Sequence, residues 1–254
     1  MRLEFSKGLV NAPGFLGFTP SRDTKAQSCA LDAFVTNPIS AGNRIAATQR
    51  GSYAFPGGEL IHSGYPNPGF DKALKLYADK WERAEKPIIL SLVEADPKKL
   101  AGMVAQAEGI ANLAAIQIML AEDFSRELML DLIKAAQGEL PLIAHVPMER
   151  CLEMATDLID GGAEAIAMGA SRGEVLDEGG NSVSGRLVGP SQFPRAMTIC
   201  SQLATQGAAV IGGCGVFESE QVQQMLKAGA LAVQLDAVLW RADWDSEAWV
   251  KQRN

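Results

Sequence analysis

Residues 87–120 read PIILSLVEADPKKLAGMVAQAEGIANLAAIQIML, in which two short apolar runs flank a segment with a helical period. Asp96 comes directly before Pro97, the arrangement of a helix N-cap, and a glycine closes the helical segment. The apolar runs are rich in Ile and Leu without clean alternation, which is typical of parallel strands that are buried on both faces. This stretch therefore predicts a strand, a covering helix and a second, parallel strand.

The same unit recurs along the chain. Most of the apolar runs are followed by an amphipathic segment, as at residues 70–85, 149–160 and 219–228. The runs are Pro13–Phe18, Ala33–Ile39, Pro87–Val93, Ala115–Leu120, Pro141–Val146, Ala165–Met168, Ala208–Gly212 and Ala230–Leu235. Eight such units in 254 residues predict one (β/α)8 barrel (TIM barrel) domain over residues 1–254. A doubly wound parallel sheet is the alternative.

Composition narrows the class of partner. The net charge is −7, the pI is near 5.0, and there is no Lys/Arg cluster, so we expect neither nucleic acid nor an anionic membrane as a partner. The absence of a signal-like segment and of 18 consecutive apolar residues predicts a soluble cytoplasmic protein. Four cysteines without CxxC spacing indicate reduced thiols and no zinc site. A small-molecule ligand is the expected partner.

One connection is unusually long. Residues 171–191 read SRGEVLDEGGNSVSGRLVGPS and show no helical period. Connections between strand and helix in such folds usually take two to six residues, and long ones are commonly lids or binding loops. The segment predicts such a loop, with a disordered insertion as the alternative.

The candidate functional residues follow the predicted strands, because the chemistry of a barrel lies at the carboxyl ends of its strands. His145 could act as a general acid or base or as a donor to an anion, and Glu122 is a possible base. For His145 the competing interpretation is a hydrogen-bonded wall residue. The candidates for substrate binding are Asn37, Arg44, His62, Asn67, Ser171 and Arg172.

A glycine-rich turn supplies a candidate anion site. In VIGGCGVFESEQ (residues 210–221), the backbone N–H groups of Gly212, Gly213, Cys214 and Gly215 could approach a phosphate, although tight packing also explains such glycines. Asp236 flanks this turn on the next strand. An ionised carboxylate about 4 Å from a negative charge costs about 4 kcal/mol at an effective dielectric constant of about 20. Either Asp236 turns away, or the turn holds no phosphate.

Two stretches resemble a known family. LVGPSQFPRAM (187–197) with AAVIGGCGVFESEQVQQMLKAGALAVQLDAVLW (208–240) resembles the last two barrel strands of the class 1 dihydroorotate dehydrogenases. HSGYPNPGFDKAL (62–74) resembles that family's Asn-Pro-Gly stretch. The resemblance implies a (β/α)8 barrel, flavin mononucleotide (FMN) at its mouth and often a homodimer. It also implies that Asn67 contacts the substrate and that Gly189, Gly212 and Gly215 lie beside the flavin.

The chain departs from the family at most working positions. Asn37 and His145 replace two lysines, Met119 and Ala170 replace two asparagines, and Asp236 with Ala237 replaces the Gly-Thr pair at the phosphate. The loop that bears the family's catalytic base is shortened to LAEDFS (120–125). Oxidation of dihydroorotate needs a base for one proton while a hydride leaves, so these losses argue against that reaction.

We therefore expect an enzyme with a repurposed mouth that binds a small polar or anionic metabolite. The alternatives are an FMN-dependent oxidoreductase with another substrate and a non-catalytic barrel subunit. In the last case, apolar side chains such as Met119, Met148 and Met168 would fill the mouth.

Overall fold

Eight parallel strands form the central sheet of the computed structural model, which describes residues 3–21, 24, 28–48, 50–245 and 249. These strands are β1 (Leu9–Asn11), β2 (Phe34–Val35), β5 (Ile88–Leu92), β6 (Leu113–Met119), β7 (Leu142–Pro147), β8 (Ala165–Gly169), β11 (Val210–Gly212) and β12 (Ala232–Leu235). The other four are β3 (Gly51–Phe55), β4 (Gly58–His62), β9 (Arg172–Leu176) and β10 (Ser182–Val188).

The central sheet closes into a barrel. Its strand order is β1-β12-β11-β8-β7-β6-β5-β2, and all of its ladders are parallel. A parallel bridge between Val10 and Ala33 joins the two ends of this order. The (β/α)8 prediction is confirmed, and the doubly wound alternative is wrong because an open sheet would leave β1 and β2 as separate edges.

Six α-helices among the described residues alternate with the barrel strands. They are α1 (Phe70–Glu82), α2 (Pro97–Ala107), α3 (Arg126–Ala135), α4 (Cys151–Asp160), α5 (Phe193–Thr205) and α6 (Ser219–Lys227). Asp96 caps α2 as predicted, since its Oδ1 accepts hydrogen bonds from the backbone N–H of Lys98 at 2.9 Å and of Lys99 at 3.3 Å. Ser125 caps α3, since its Oγ accepts a hydrogen bond from the backbone N–H of Leu128 at 3.2 Å.

The alternation of strand side chains separates the packed part of the barrel from its mouth. Ile143 belongs to a cluster of ten buried apolar residues together with Val10, Ala165 and Ala232. Side chains two residues apart on a strand share a face. His145 therefore lies on the same face as Ile143 but nearer to the carboxyl end of β7. It is not part of the apolar cluster that fills the barrel.

The first strand is not where the sequence predicts it. The apolar run Pro13–Phe18 was expected to be a strand, but the strand is Leu9–Asn11. Gly14 and Gly17 have φ values of 90° and 92°, so this run turns at the top of the barrel instead of extending. Phe15 then packs against Trp240, with 4.8 Å between the ring centroids.

A second sheet covers the mouth and corrects the prediction for residues 171–191. The hairpins β3-β4 and β9-β10 form an antiparallel sheet in the order β3-β4-β10-β9. A turn joins β9 to β10, with Asp177 Oδ1 accepting hydrogen bonds from Gly179 N at 2.9 Å and Asn181 N at 2.8 Å. The segment is therefore an ordered hairpin paired with β4, and the alternative of a disordered insertion is wrong. Its role as a lid or binding loop stays a prediction.

No helix among the described residues has the length and apolar character needed to cross a membrane.

We predict that Asp96→Ala lowers the free energy of unfolding by about 1 kcal/mol, because two N–H groups at the start of α2 lose their acceptor. Urea unfolding would measure the change. Asp123→Ala is the matched control and should stay within about 0.5 kcal/mol of the parent, since Asp123 is exposed and caps no helix. Equal effects of the two substitutions would contradict the assignment of the cap.

Candidate functional site

A cavity of about 580 Å³ lies between the carboxyl ends of the barrel strands and the covering sheet. Sites for small molecules commonly fall in this size range. Its walls come from the barrel strands and their loops and from the two hairpins. The lining residues are Arg44, Ile61, His62, Ser63, Gly64, Tyr65, Val93, Met119, Leu120, Ala121, Glu122, Asp123, His145, Pro147, Gly169, Ala170, Arg172, Gly185 and Arg186.

Five of the predicted site residues meet at this cavity. They are Arg44, His62, Glu122, His145 and Arg172. The Nδ1 atom of His62 lies 2.5 Å from the carbonyl oxygen of Ser184 and ties β4 to β10. Glu122 and Arg172 are exposed at the rim. The barrel topology therefore brings together side chains that are far apart in sequence.

Three other predicted residues lie outside the cavity lining and hold loops in place. Asn37 Oδ1 accepts from the backbone N–H of Gly17 at 3.1 Å. Asn67 is buried; its Oδ1 accepts from the N–H of Gly69 at 3.0 Å and its Nδ2 donates to Tyr65 O at 3.1 Å. The hydroxyl of the buried Ser171 lies 3.7 Å from the sulfur of Met148. Their assignment to a ligand stays a prediction.

His145 is a buried, neutral imidazole. It is 8% exposed, and burial, followed by the charge of Arg186, lowers its pKa to about 3. Its Nδ1 atom has no hydrogen-bond partner. A Cβ at Gly169 would lie 2.6 Å from the ring, so the glycine leaves room for this side chain. At neutral pH the ring has one N–H donor and one acceptor nitrogen for a ligand, and it lacks the second ring proton that an imidazolium gives as a general acid.

Arg186 is the functional candidate that the sequence analysis missed. Its Cζ atom lies 4.6 Å from the ring centroid of Tyr65 and 5.2 Å from that of Phe15, and Nη1 donates to Pro13 O at 3.4 Å. Among the described residues it forms no ion pair. A guanidinium has five N–H donors, so most of them remain available to an anion.

The glycine turn is packed against the protein itself. A Cβ at Gly215 would lie 2.5 Å from the backbone N of Phe193 and 2.8 Å from Gly189 O, and Gly215 and Gly189 have φ values of 78° and 136°. Likewise, a Cβ at Gly212 would lie 2.9 Å from Met225 Sδ. The packing interpretation therefore accounts for these glycines.

Two neighbours complete this packing. A Cβ at Gly213 would lie 2.6 Å from Cγ of Gln234, so this glycine admits the glutamine side chain. The Cys214 thiol donates to Met168 O at 3.5 Å. Both contacts are internal to the barrel.

Asp236 turns toward the glycine turn, not away from it. Its Oδ2 accepts from the backbone N–H of Gly215 at 3.4 Å, and Oδ1 has no partner. A phosphate at this turn would have to share that N–H group with a buried carboxylate, at the electrostatic cost given above. These residues do not fit the phosphate of FMN.

Burial raises the pKa of Asp236 to about 6, although hydrogen bonds from Gly215 and Ala237 and the charge of Arg186 oppose the shift. Asp236 is therefore a buried carboxyl group that titrates close to neutral pH.

Among the described residues, no group of three or more His, Cys, Asp or Glu side chains is placed to hold a metal ion.

Asp236 and His145 contribute opposite pH dependences to the stability. The pKa of His145 falls from 6.5 to about 3 on folding. As the pH drops below 6.5, the imidazole is protonated in the unfolded chain but not in the folded protein, so the free energy of unfolding decreases. The pKa of Asp236 rises from 3.8 to about 6 on folding. As the pH drops from 6 to 4, the carboxyl group is protonated in the folded protein but not in the unfolded chain, so the free energy of unfolding increases. Each slope is about 1.4 kcal/mol per pH unit, and the two cancel between pH 4 and pH 6.

We predict that replacing either residue alone reveals the pH dependence of stability that the other residue contributes. Relative to the parent, Asp236→Asn should lose about 3 kcal/mol of stability between pH 6 and pH 4, while His145→Asn should gain about 3 kcal/mol over the same range. Urea unfolding at pH 4, 5 and 6 measures both. Curves that stay parallel to the parent curve would show that neither group titrates as described.

Comparison with known proteins supports the resemblance. No family model matches the chain. A protein of Aeropyrum pernix, named "Putative dihydroorotate dehydrogenase A (fumarate)", is 26% identical over 256 aligned positions that cover 92% of this chain and 83% of that protein.

Two solved structures share the fold. The structure of DHODH from Eimeria tenella in complex with ferulenol has a TM-score of 0.69 and 13% identity, over 93% of this chain and 77% of that one. The ligand-free form has a TM-score of 0.71 and 12% identity, over 94% of this chain and 81% of that one. At this level of identity the structures bear on the fold alone. The chain therefore has the (β/α)8 barrel fold of these structures and is similar in sequence to the protein named "Putative dihydroorotate dehydrogenase A (fumarate)".

Proposed function

We propose that this barrel binds a small organic anion in the cavity between its mouth and the covering sheet, and that its site is repurposed from that of a dihydroorotate dehydrogenase. The observation that carries the proposal is Arg186, a partly buried guanidinium that faces the cavity without a carboxylate partner among the described residues. Removing a cation from water is costly unless it is paired, so such a site favours an anionic ligand.

The charges around the cavity agree with an anionic ligand. Arg44, Arg172 and Arg186 line it, against the two acidic side chains of Glu122 and Asp123. Asp236, in the adjoining recess, is a third acidic side chain, so the mouth is balanced in charge although the chain carries a net charge of −7. The three guanidinium groups would draw a small anion toward the mouth.

The name of the curated relative suggests dihydroorotate oxidation with fumarate. The residues of this chain do not support that reaction. Met119 and Ala170 line the cavity in place of the family's asparagines, and a carboxylate occupies the turn that a flavin phosphate would need. We propose Asp236 as the group that exchanges a proton with the ligand, and His145 as a neutral hydrogen-bonding group beside it.

The cavity also weighs against a non-catalytic barrel with a filled mouth. Met119 forms part of its wall, Met148 and Met168 are buried, and about 580 Å³ remains open. A cytoplasmic location and a homodimer remain predictions.

Arg186→Met tests the proposal. Freshly purified parent protein should retain a small anionic molecule in native mass spectrometry, and the same spectrum reports the number of subunits. The variant should lose this molecule and bind it about 10 to 100 times more weakly on titration, the cost of a hydrogen bond to a charged group. Arg195→Met, at an exposed arginine outside the cavity, is the control and should retain it. Equal retention by both variants would contradict the proposal.

We also predict that the purified protein is colourless and shows no saturable quenching of added FMN fluorescence, because Asp236 competes with the phosphate for Gly215 N–H. A yellow protein with stoichiometric flavin would contradict this.

A further inference from the structure

A small recess extends the cavity toward the barrel axis. Its volume is about 20 Å³, which accommodates one group the size of a water molecule. Tyr65, His145, Ala170 and Arg186 line both the recess and the cavity, so the two spaces share a wall. The remaining recess residues are Ala12, Pro13, Phe15, Met168, Cys214, Gln234 and Asp236.

Three buried polar atoms without partners belong to side chains that line this recess. They are Nδ1 of His145, Oε1 of Gln234 and Oδ1 of Asp236, on residues that are 8%, 2% and 4% exposed. A buried polar atom without a partner costs about 1–3 kcal/mol, so three around one small space indicate a group that binds there.

All three atoms can accept hydrogen bonds. The Nε2 atom of Gln234 donates to Met168 O, which identifies the other amide atom as the acceptor. Neutral His145 offers one ring nitrogen with a lone pair, and the Asp236 carboxylate accepts only. An ammonium group is as small as water but has three donors, whereas water has two and would leave one acceptor unpaired.

Arg186 lines the same recess, and it forms no ion pair with Asp236. The two opposite charges thus face one small space without neutralising each other directly. A ligand that places an anion at Arg186 and a cation at Asp236 would neutralise both. An α-amino acid carries its carboxylate and its ammonium group on a single carbon, so one molecule could place both groups beside this recess.

We propose that the ligand is a free α-amino acid, with its ammonium group in the recess on Asp236, Gln234 and His145 and its carboxylate on Arg186. Its side chain extends into the larger cavity. This inference rests on the proposed function and assigns a chemical class to the ligand.

The test compares amino acids with acids that lack the amine. The twenty standard amino acids are screened at pH 8 by thermal shift, and the best is titrated by calorimetry beside its des-amino analogue. We expect the amino acid to bind at least tenfold more tightly than the analogue. Asp236→Asn and Gln234→Leu should each shrink this ratio, while Asp131→Asn, at an exposed aspartate of α3 that lines neither the cavity nor the recess, should preserve it.

Two outcomes separate the inference from the proposed function. If the des-amino acid binds as tightly as the amino acid, or no amino acid binds while other organic anions do, the inference is overturned and the anion site stands. If no organic anion binds and Arg186→Met changes nothing, both are overturned. Far-ultraviolet circular dichroism checks that each variant is folded, and Gln234→Leu provides the test if Asp236→Asn does not fold.

Discussion

Arg186 and Asp236 carry opposite charges beside one recess but form no ion pair with each other. The preference of the cavity for a charged ligand depends on the absence of this ion pair. A direct ion pair would satisfy both groups and leave the cavity with no strong preference for a ligand. Instead, two aromatic rings and one carbonyl oxygen hold the guanidinium, and the backbone N–H groups of Gly215 and Ala237 hold the carboxylate. Each charge is positioned by neutral or weakly polar contacts, and neither group forms an ion pair among the described residues.

The covering sheet is what makes this arrangement possible. Arg186 lies on β10, and the group that accepts its hydrogen bond, Pro13 O, is 173 residues away in sequence. The run Pro13–Phe18 turns at its glycines and does not extend as a strand, which brings Phe15 beneath the guanidinium. The barrel supplies the other groups of the site. His145 lies on β7, Gln234 lies on β12, and Asp236 directly follows β12. The site therefore forms where the two sheets meet.

Much of the barrel could be predicted from the sequence because parallel strands buried on both faces leave a local signal in their apolar runs. The position of His145 at the mouth followed from its place at the end of such a run. The hairpin at 172–188 was missed because the segment has no helical period, and the alternating burial of RGEVL and of the first four residues of SVSGRLV emerges only once the strands pair. Arg186 was missed because its surroundings come from distant segments. The repulsion between Asp236 and a phosphate allows two arrangements, and the sequence alone does not distinguish between them.

The most direct test of the central claim is a high-resolution crystal structure of the protein purified without added ligand. The account predicts electron density for a small organic anion in the cavity, within hydrogen-bond distance of the Arg186 guanidinium. An Arg186 side chain paired with a carboxylate of the protein, over a cavity that holds only water, would contradict it.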